Sequence, residues 1–225
     1  MCRFLIIHSL KEFSPKNYIE DFTEKAKKSL TPDGDLQKDG WGIFYLNYKN
    51  NTYNIFKSLN PIWEDKINYN DLGKINFLAL HVRSSSTPYI ENKIEYNQPY
   101  YKENFLFLFN GLIKGVKIQS EGEIGAQKLF NLFFKFYKDE KEDFKIFKEF
   151  ISYVKENSKE IVGLNLAIVN IKERKIFINS KFSCYEDYFT LKIFKNKNFL
   201  IISSVALDNV EFEKIKNDSI LEIDF

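Results

Sequence analysis

The order of the apolar segments along this chain limits the folds that it can adopt. Short β-branched and aromatic runs occur at the start, in the middle and in the last third, whereas helical periodicity occurs once early and twice in succession later. Runs of strands that are separated from runs of helices indicate an α+β arrangement. The sequence therefore predicts an antiparallel-rich layered domain, in which two sheets pack face to face between helical layers.

Individual segments follow from this pattern. The first strand is predicted over residues 2–7, and Ser14-Pro15 begins a helix with an apolar stripe that extends to Leu30. The stretch with Pro88 and Pro99 is long for a structureless connection and favours a functional loop. Further strands are predicted over 41–46, 53–59, 75–82, 104–109, 164–171, 175–179, 188–194, 199–204 and 220–225, and further helices over 123–137 and 142–154.

Composition excludes several classes of protein. The length of 225 residues fits a single domain over 1–225, and 33 basic against 31 acidic residues give a net charge of +2, which argues against a nucleic-acid partner. No apolar run reaches the length of a membrane span, so no membrane association is expected. The two cysteines, Cys2 and Cys184, form no disulfide framework, and no signal-peptide pattern is present, so we expect a cytoplasmic protein.

Cys2 is the strongest candidate for chemistry. Removal of Met1 would leave Cys2 with a thiol and a free α-amine, and the unperturbed pKa values of about 8.5 and about 7.7–8.0 allow the amine to take the thiol proton near neutral pH. The alternative is that Cys2 is a small buried hydrophobe on the first strand. Its position alone does not decide between the two.

Four segments occur together in one order, namely Cys2-Arg3-Phe4-Leu5, Asp39-Gly40-Trp41-Gly42, the run from His81 to Thr87, and Phe109-Asn110-Gly111. In order and spacing they resemble the glutaminase domain of class II glutamine amidotransferases, in the branch of short stand-alone members. The resemblance covers residues 1 to about 135. It implies an N-terminal nucleophile hydrolase fold, a four-layer αββα sandwich of two mainly antiparallel sheets.

The resemblance also implies roles for individual residues. Cys2 would attack the side-chain amide of glutamine and form a γ-glutamyl thioester, and Asn110 and Gly111 would form the oxyanion hole. Arg83 would bind the substrate α-carboxylate, with Ser84, Ser85 and Ser86 completing the cradle. The wall beside Cys2 is assigned to Asp39, Trp41 and Gly42.

Structural alternatives exist for three of these segments. Asn110-Gly111 between apolar residues is also a strong signal for a type I′ hairpin turn. Arg83 is also compatible with an ordinary surface residue at a strand end. We expect His81 to be a hydrogen-bonded structural histidine rather than a catalytic one.

Gly125 departs from the family pattern. An Asp that holds the α-ammonium of glutamine usually stands at this position, and loss of one partner of such a contact costs about 2–5 kcal/mol. Glu121 or Glu123 could reach the site instead. Otherwise the substrate differs in its α-amine, or activity has been lost.

The leading hypothesis is an amidohydrolase acting on glutamine or a γ-glutamyl amide, with ammonia either released or passed to a partner synthetase. The alternative is a catalytically inactive family member that acts as a binding or regulatory module. The sequence contains no phosphate-binding or dinucleotide-binding motif and no metal-ligand spacing, so we expect no cofactor and no metal.

Overall fold

The structure, a computed structural model, describes residues 1–85, 92–137 and 142–225. Two 3-10 helices, Tyr69–Leu72 and Ile94–Tyr96, lie among the longer elements. In chain order the strands and α-helices are β1 (Arg3–Phe13), α1 (Lys16–Lys28), β2 (Trp41–Asn47), β3 (Thr52–Ser58), β4 (Ile75–Val82), β5 (Tyr100–Lys102), β6 (Phe105–Lys114), α2 (Gly125–Phe136), α3 (Asp143–Glu156), β7 (Glu160–Asn170), β8 (Lys175–Ser180), α4 (Glu186–Phe189), β9 (Lys192–Lys195), β10 (Phe199–Ser203), β11 (Glu213–Lys214) and β12 (Ser219–Asp224).

The strands form two antiparallel sheets. The seven-stranded sheet has the order β11-β9-β10-β1-β4-β2-β3, and the five-stranded sheet has the order β12-β8-β7-β6-β5. Strand β1 pairs with β10 on one side and with β4 on the other, so the start of the chain lies in the middle of the larger sheet.

Side-chain alternation produces four layers. On β1, Phe4 and Ile6 pack between the two sheets, whereas Leu5 and Ile7 pack on the opposite face against α1. On β6, the residues that alternate with the interlayer leucines pack against α2 and α3. The result is the predicted αββα sandwich, with α1 outside one sheet and the α2–α3 pair outside the other.

The Asn110-Gly111 pair is not a turn, which corrects the hairpin interpretation. Both residues lie within β6, where Asn110 is opposite Asn165 and Gly111 is opposite Leu164 of β7. A Cβ at Gly111 would lie 2.2 Å from the carbonyl oxygen of Gly163, so glycine is needed for a close approach of two strands. Pairing with β7 on both sides of the dipeptide overrides its local turn propensity.

The strand predicted over 188–194 is also wrong in part. The structure has the short helix α4 first, and only Lys192–Lys195 forms a strand, β9. Tyr188 and Phe189 bury their side chains in a cluster around Met1. Short apolar runs do not distinguish a helix from a strand by periodicity, and tertiary packing decides here.

No helix in the described part of the chain is long and apolar enough to cross a membrane.

The two buried histidines make the fold sensitive to mild acid. Burial lowers the pKa of His81 to about 3, and burial together with Arg174 lowers the pKa of His8 to about 4. Below pH 6.5 the unfolded chain therefore binds protons that the folded chain does not, and the free energy of unfolding falls as the pH is lowered. The loss from His81 should be about 2 kcal/mol at pH 5, and His8 acts in the same direction.

Urea unfolding at pH 7, 6 and 5 measures this slope. The double variant His8→Gln/His81→Gln should be nearly independent of pH over this range, and each single variant should retain part of the slope. An equal slope in the wild type and the double variant would show that other groups cause the acid sensitivity.

Candidate active site

The start of β1 and the end of β4 lie at the same edge of the larger sheet. Arg3 is opposite Val82 in the antiparallel register, so Cys2 and Arg83 lie together just beyond the paired residues. The Sγ atom of Cys2 lies 3.8 Å from the carbonyl oxygen of Ser84. Alternation from Phe4 places the Cys2 side chain on the interlayer side of the sheet.

Met1 is held at this edge by polar and apolar contacts. Its ammonium group donates to the carbonyl oxygen of Ser84 at 3.2 Å and to the Ser84 hydroxyl at 2.9 Å. Its side chain packs in a buried cluster with Val162, Phe182 and Phe189. Met1 also lines the cavity that contains Cys2.

Tyr188 fixes the main chain of Cys2, a role that sequence reasoning missed. The Tyr188 hydroxyl lies 3.0 Å from the carbonyl oxygens of both Met1 and Cys2. The Arg3 guanidinium lies 3.6 Å from the Tyr188 ring centroid and donates to the Tyr188 carbonyl oxygen at 2.6 Å. Burial raises the pKa of Tyr188, so its hydroxyl stays a neutral donor. The contact with the Cys2 carbonyl does not depend on Met1.

The guanidinium of Arg83 is anchored by neutral groups. It donates to the carbonyl oxygen of Asp39 at 3.3 Å and to the side-chain oxygen of Asn92, and it lies 5.4 Å from the Tyr96 ring centroid. Arg83 is largely buried yet lines the cavity. Because none of these partners is an anion, the arrangement suits a bound carboxylate.

Asp39 positions the segment that follows β4. Its side chain accepts a hydrogen bond from the Ser85 N–H at 2.6 Å, and its own N–H donates to the Arg83 carbonyl oxygen at 3.0 Å. Ser84 and Ser85 line the cavity, whereas Asp39 supports them from behind. Ser86, the third serine of the predicted cradle, lies outside the described residues.

Trp41 and Gly42 have separate roles. Trp41 packs on the α1 side of the sheet and donates from Nε1 to Asp65 at 2.7 Å, so its side chain is not brought to the cavity. A Cβ at Gly42 would lie 2.4 Å from the carbonyl oxygen of Gln98, a residue that does line the cavity. Gly42 therefore permits a close approach of the Gln98 backbone to β2.

Asn110 lies between the sheets at the end of the interlayer core. It is fully buried, and among the described residues neither its amide nitrogen nor its amide oxygen has a hydrogen-bond partner. Its neighbour Gly111 lines the cavity with Cys2. An unpartnered buried amide costs free energy, and a functional role is one reason for a protein to retain it.

His81 connects the two sheets beside Asn110. Its Nε2 atom lies 3.3 Å from the carbonyl oxygen of Phe109, so Nε2 carries the proton in this contact. The Phe109 N–H in turn donates to the Gln98 side chain at 2.6 Å. The low pKa of His81 keeps the ring neutral, in agreement with a hydrogen-bonded structural histidine.

One cavity of about 370 Å³ gathers most of these residues. Polar residues on its surface include Cys2, Arg83, Ser84, Ser85, Gln98 and Lys128, and Gly111 adds its backbone. Apolar side chains from β6, the segment after it and α2 form much of the rest. Asp39, Trp41, Gly42 and Asn110 lie next to this cavity or behind it rather than on its surface.

Gly125 lies on the cavity surface at the first residue of α2. The two acidic residues considered as replacements for the missing Asp are not brought to the cavity. Glu123 pairs with Lys93 at 2.8 Å and with the Tyr96 hydroxyl, and Glu121 uses its carbonyl oxygen to accept from Asn131. Within the described ranges no Asp or Glu lines the cavity.

No cluster of three His, Cys, Asp or Glu side chains that could hold a metal ion occurs in the described ranges.

Comparison with known proteins adds information on the fold. No protein-family model matches the sequence, and no curated protein matches it. Solved structures do match. A glutamine phosphoribosylpyrophosphate amidotransferase from B. subtilis matches over 99% of this chain with a TM-score of 0.67 and 13% identity.

Two shorter proteins match over nearly their whole length. A glutamine aminotransferase class-II domain protein from Silicibacter pomeroyi matches over 100% of this chain and 95% of its own, with a TM-score of 0.65 and 12% identity. A protein described as a predicted glutamine amidotransferase from Pseudomonas aeruginosa has a TM-score of 0.52 and 13% identity and is covered over 96% of its length.

This chain spans only 47% of the B. subtilis enzyme, so the comparison with that enzyme concerns one part of it. At these identities the matches establish the fold. The chain has the fold of class II glutamine amidotransferase domains, as the four sequence segments implied.

Proposed function

We propose that this protein is an amidohydrolase in which Cys2, exposed by removal of Met1, cleaves the side-chain amide of glutamine or a related γ-glutamyl amide. The observation that carries the proposal is that the Cys2 thiol and the Arg83 guanidinium line one cavity at the start of β1. A nucleophile and a carboxylate-binding group in one cavity suit an amide substrate that also carries a carboxylate.

The nucleophile would carry its own base. After loss of Met1 the Cys2 nitrogen becomes an amine, which can take the thiol proton and pass it to the departing ammonia. The sulfur bonds to the amide carbon as the carbon–nitrogen bond breaks, and water then cleaves the thioester to give a carboxylate and the free thiol. The carbonyl and hydroxyl oxygens of Ser84, which now accept from Met1, would be freed for the new amine.

Asn110 and Gly111 are the proposed oxyanion hole. The unpartnered Asn110 side chain supports this assignment, because an amide held ready for a developing negative charge lacks other partners in the resting state. Strand pairing with β7 fixes the backbone on both sides of the dipeptide. Its rigidity would keep the donors in place without reorganisation during the reaction.

Ammonia is either released to solvent or transferred to an acceptor on a partner synthetase. A second candidate function is binding without turnover, which the absence of an acid at Gly125 favours. Calorimetry that detects glutamine binding together with no ammonia release would support binding over catalysis.

Substitution of the nucleophile tests the proposal. Cys2→Ala should lower kcat/KM for ammonia release by about 1,000-fold or more, because the covalent step has no other thiol in the cavity. Cys184→Ala is the matched control, since Cys184 is free and exposed and does not line the cavity. Intact mass should first confirm that Met1 is absent from each protein. Equal activity of Cys2→Ala and the wild type would reject the mechanism.

Substitution of Asn110 should separate activity from stability. Asn110→Leu should lower kcat by about 100-fold through loss of the oxyanion donor. It should also raise the free energy of unfolding by about 1 kcal/mol, because it removes an unpartnered buried amide. Steady-state kinetics and urea unfolding measure the two effects.

Asn170→Leu is the control for this variant. Asn170 is also buried, but its amide donates to Asp143 at 2.7 Å and accepts from the Glu173 N–H at 3.0 Å, at the far end of β7. This variant should lose stability and keep kcat. Full activity of Asn110→Leu would remove Asn110 from the mechanism.

A further inference from the structure

We propose that the substrate has no free α-ammonium group and is instead a glutamine-type amide whose α-nitrogen carries an apolar acyl group. This inference rests on the proposed function and specifies the substrate class of the same cavity. The reaction is the same as for glutamine. The side-chain amide and water give a side-chain carboxylate and ammonia, and the acyl group on the α-nitrogen is unchanged.

The charges of the cavity disfavour an ammonium group. The charged side chains on its described surface are Arg83 and Lys128, both positive. Glu123, which precedes the lining residue Ile124, does not line the cavity and is held by Lys93 and Tyr96. Among the described residues of this cavity an ammonium would therefore face cations without a counterion, whereas an acylated nitrogen is neutral.

The wall near Gly125 suits an apolar group. It combines the end of β6 and the segment after it with the start of α2, and the side chains of this wall are Leu112, Ile113, Val116, Ile118, Ile124 and Leu129. Several are only partly covered by the protein, and Val116 is 43% exposed. Apolar surface left open inside a cavity, opposite a few polar groups, is typical of a binding site for a ligand with both characters.

Gly125 provides space at this wall. A Cβ added there would meet nothing within 4 Å, and its backbone does not require glycine by conformation. The position that would hold an ammonium-binding acid is therefore open space next to apolar side chains. An acyl chain on the α-nitrogen can occupy this space while Arg83 binds the carboxylate.

Ammonia release from L-glutamine and from its Nα-acetyl, Nα-butanoyl, Nα-hexanoyl and Nα-octanoyl derivatives tests the inference in the full chain with Met1 removed. The value of kcat/KM should exceed that for free glutamine by about 100-fold for the best acyl derivative. It should rise about fourfold per added methylene until the wall is covered.

Gly125→Asp should reverse the preference, because it supplies the missing anion at an open position. Its kcat/KM for free glutamine should rise by about 100-fold, and that for the acyl derivatives should fall. Gly125→Asn is the control of equal size without charge and should not gain glutamine activity. If Gly125→Asp gains no glutamine activity over Gly125→Asn, the assignment of the α-nitrogen to this wall is wrong.

A second pair of variants tests the wall itself. Val116→Ser should lower kcat/KM several-fold more for the octanoyl derivative than for the acetyl derivative. Leu30→Ser is the matched control, since Leu30 is an exposed apolar residue, 58% accessible, that does not line the cavity. Equal effects of Val116→Ser on both derivatives would count against an acyl chain at this wall.

The outcomes separate this inference from the proposed function. If the wild type prefers free glutamine and Cys2→Ala is inactive, the inference fails and the proposed function stands. If neither glutamine nor any acyl derivative is cleaved, the proposed function is wrong, and so is the inference that an acylated glutamine is the substrate. Calorimetry on Cys2→Ala adds a readout without turnover: acylated glutamine should bind at least about tenfold more tightly than glutamine, and equal binding would overturn the inference.

Discussion

The antiparallel pairing of β1 with β4 is the constraint on which the rest of this site depends. It places the first residues of the chain in the centre of the larger sheet, where both neighbours are strands and one face is covered by the second sheet. An N-terminus is usually mobile unless it is tied down. Here the β1–β4 register places Cys2 beside Arg83. The hydrogen bond from the Tyr188 hydroxyl to the Cys2 carbonyl oxygen also holds the terminal main chain.

Buried polar groups beside the site lower the free energy of unfolding. Asn110 and His81 place polar atoms between two apolar sheet faces, and each leaves at least one of them without a partner among the described residues. A sequence optimised for stability alone would use apolar residues at such positions. Asn170, a buried asparagine at the far end of β7, differs from Asn110 because both its amide nitrogen and its amide oxygen have a partner.

Many of the strands could be predicted from the sequence, because a strand that is buried on both faces consists of a continuous apolar run. Strand β4 has the predicted limits, 75–82. The turn predicted at Asn110-Gly111 was wrong, because turn propensity reflects only the local sequence. The strand conformation of this dipeptide is set by pairing with β7, which lies about 50 residues further along the chain. Tyr188 was missed for a similar reason: nothing in its surroundings in the sequence indicates that it contacts the chain start. The proximity of Cys2 and Arg83 was inferred from the resemblance and depends on a register that no local pattern encodes.

Covalent trapping shows whether the exposed N-terminal cysteine is the nucleophile. The protein is incubated with an electrophilic glutamine analogue and with its Nα-acyl counterpart, and the N-terminal peptide is analysed by mass spectrometry. One adduct is expected, on the sulfur of Cys2 and only in molecules that have lost Met1, and substrate should protect against it. An adduct confined to Cys184, or equal labelling of molecules that retain Met1, would contradict this expectation.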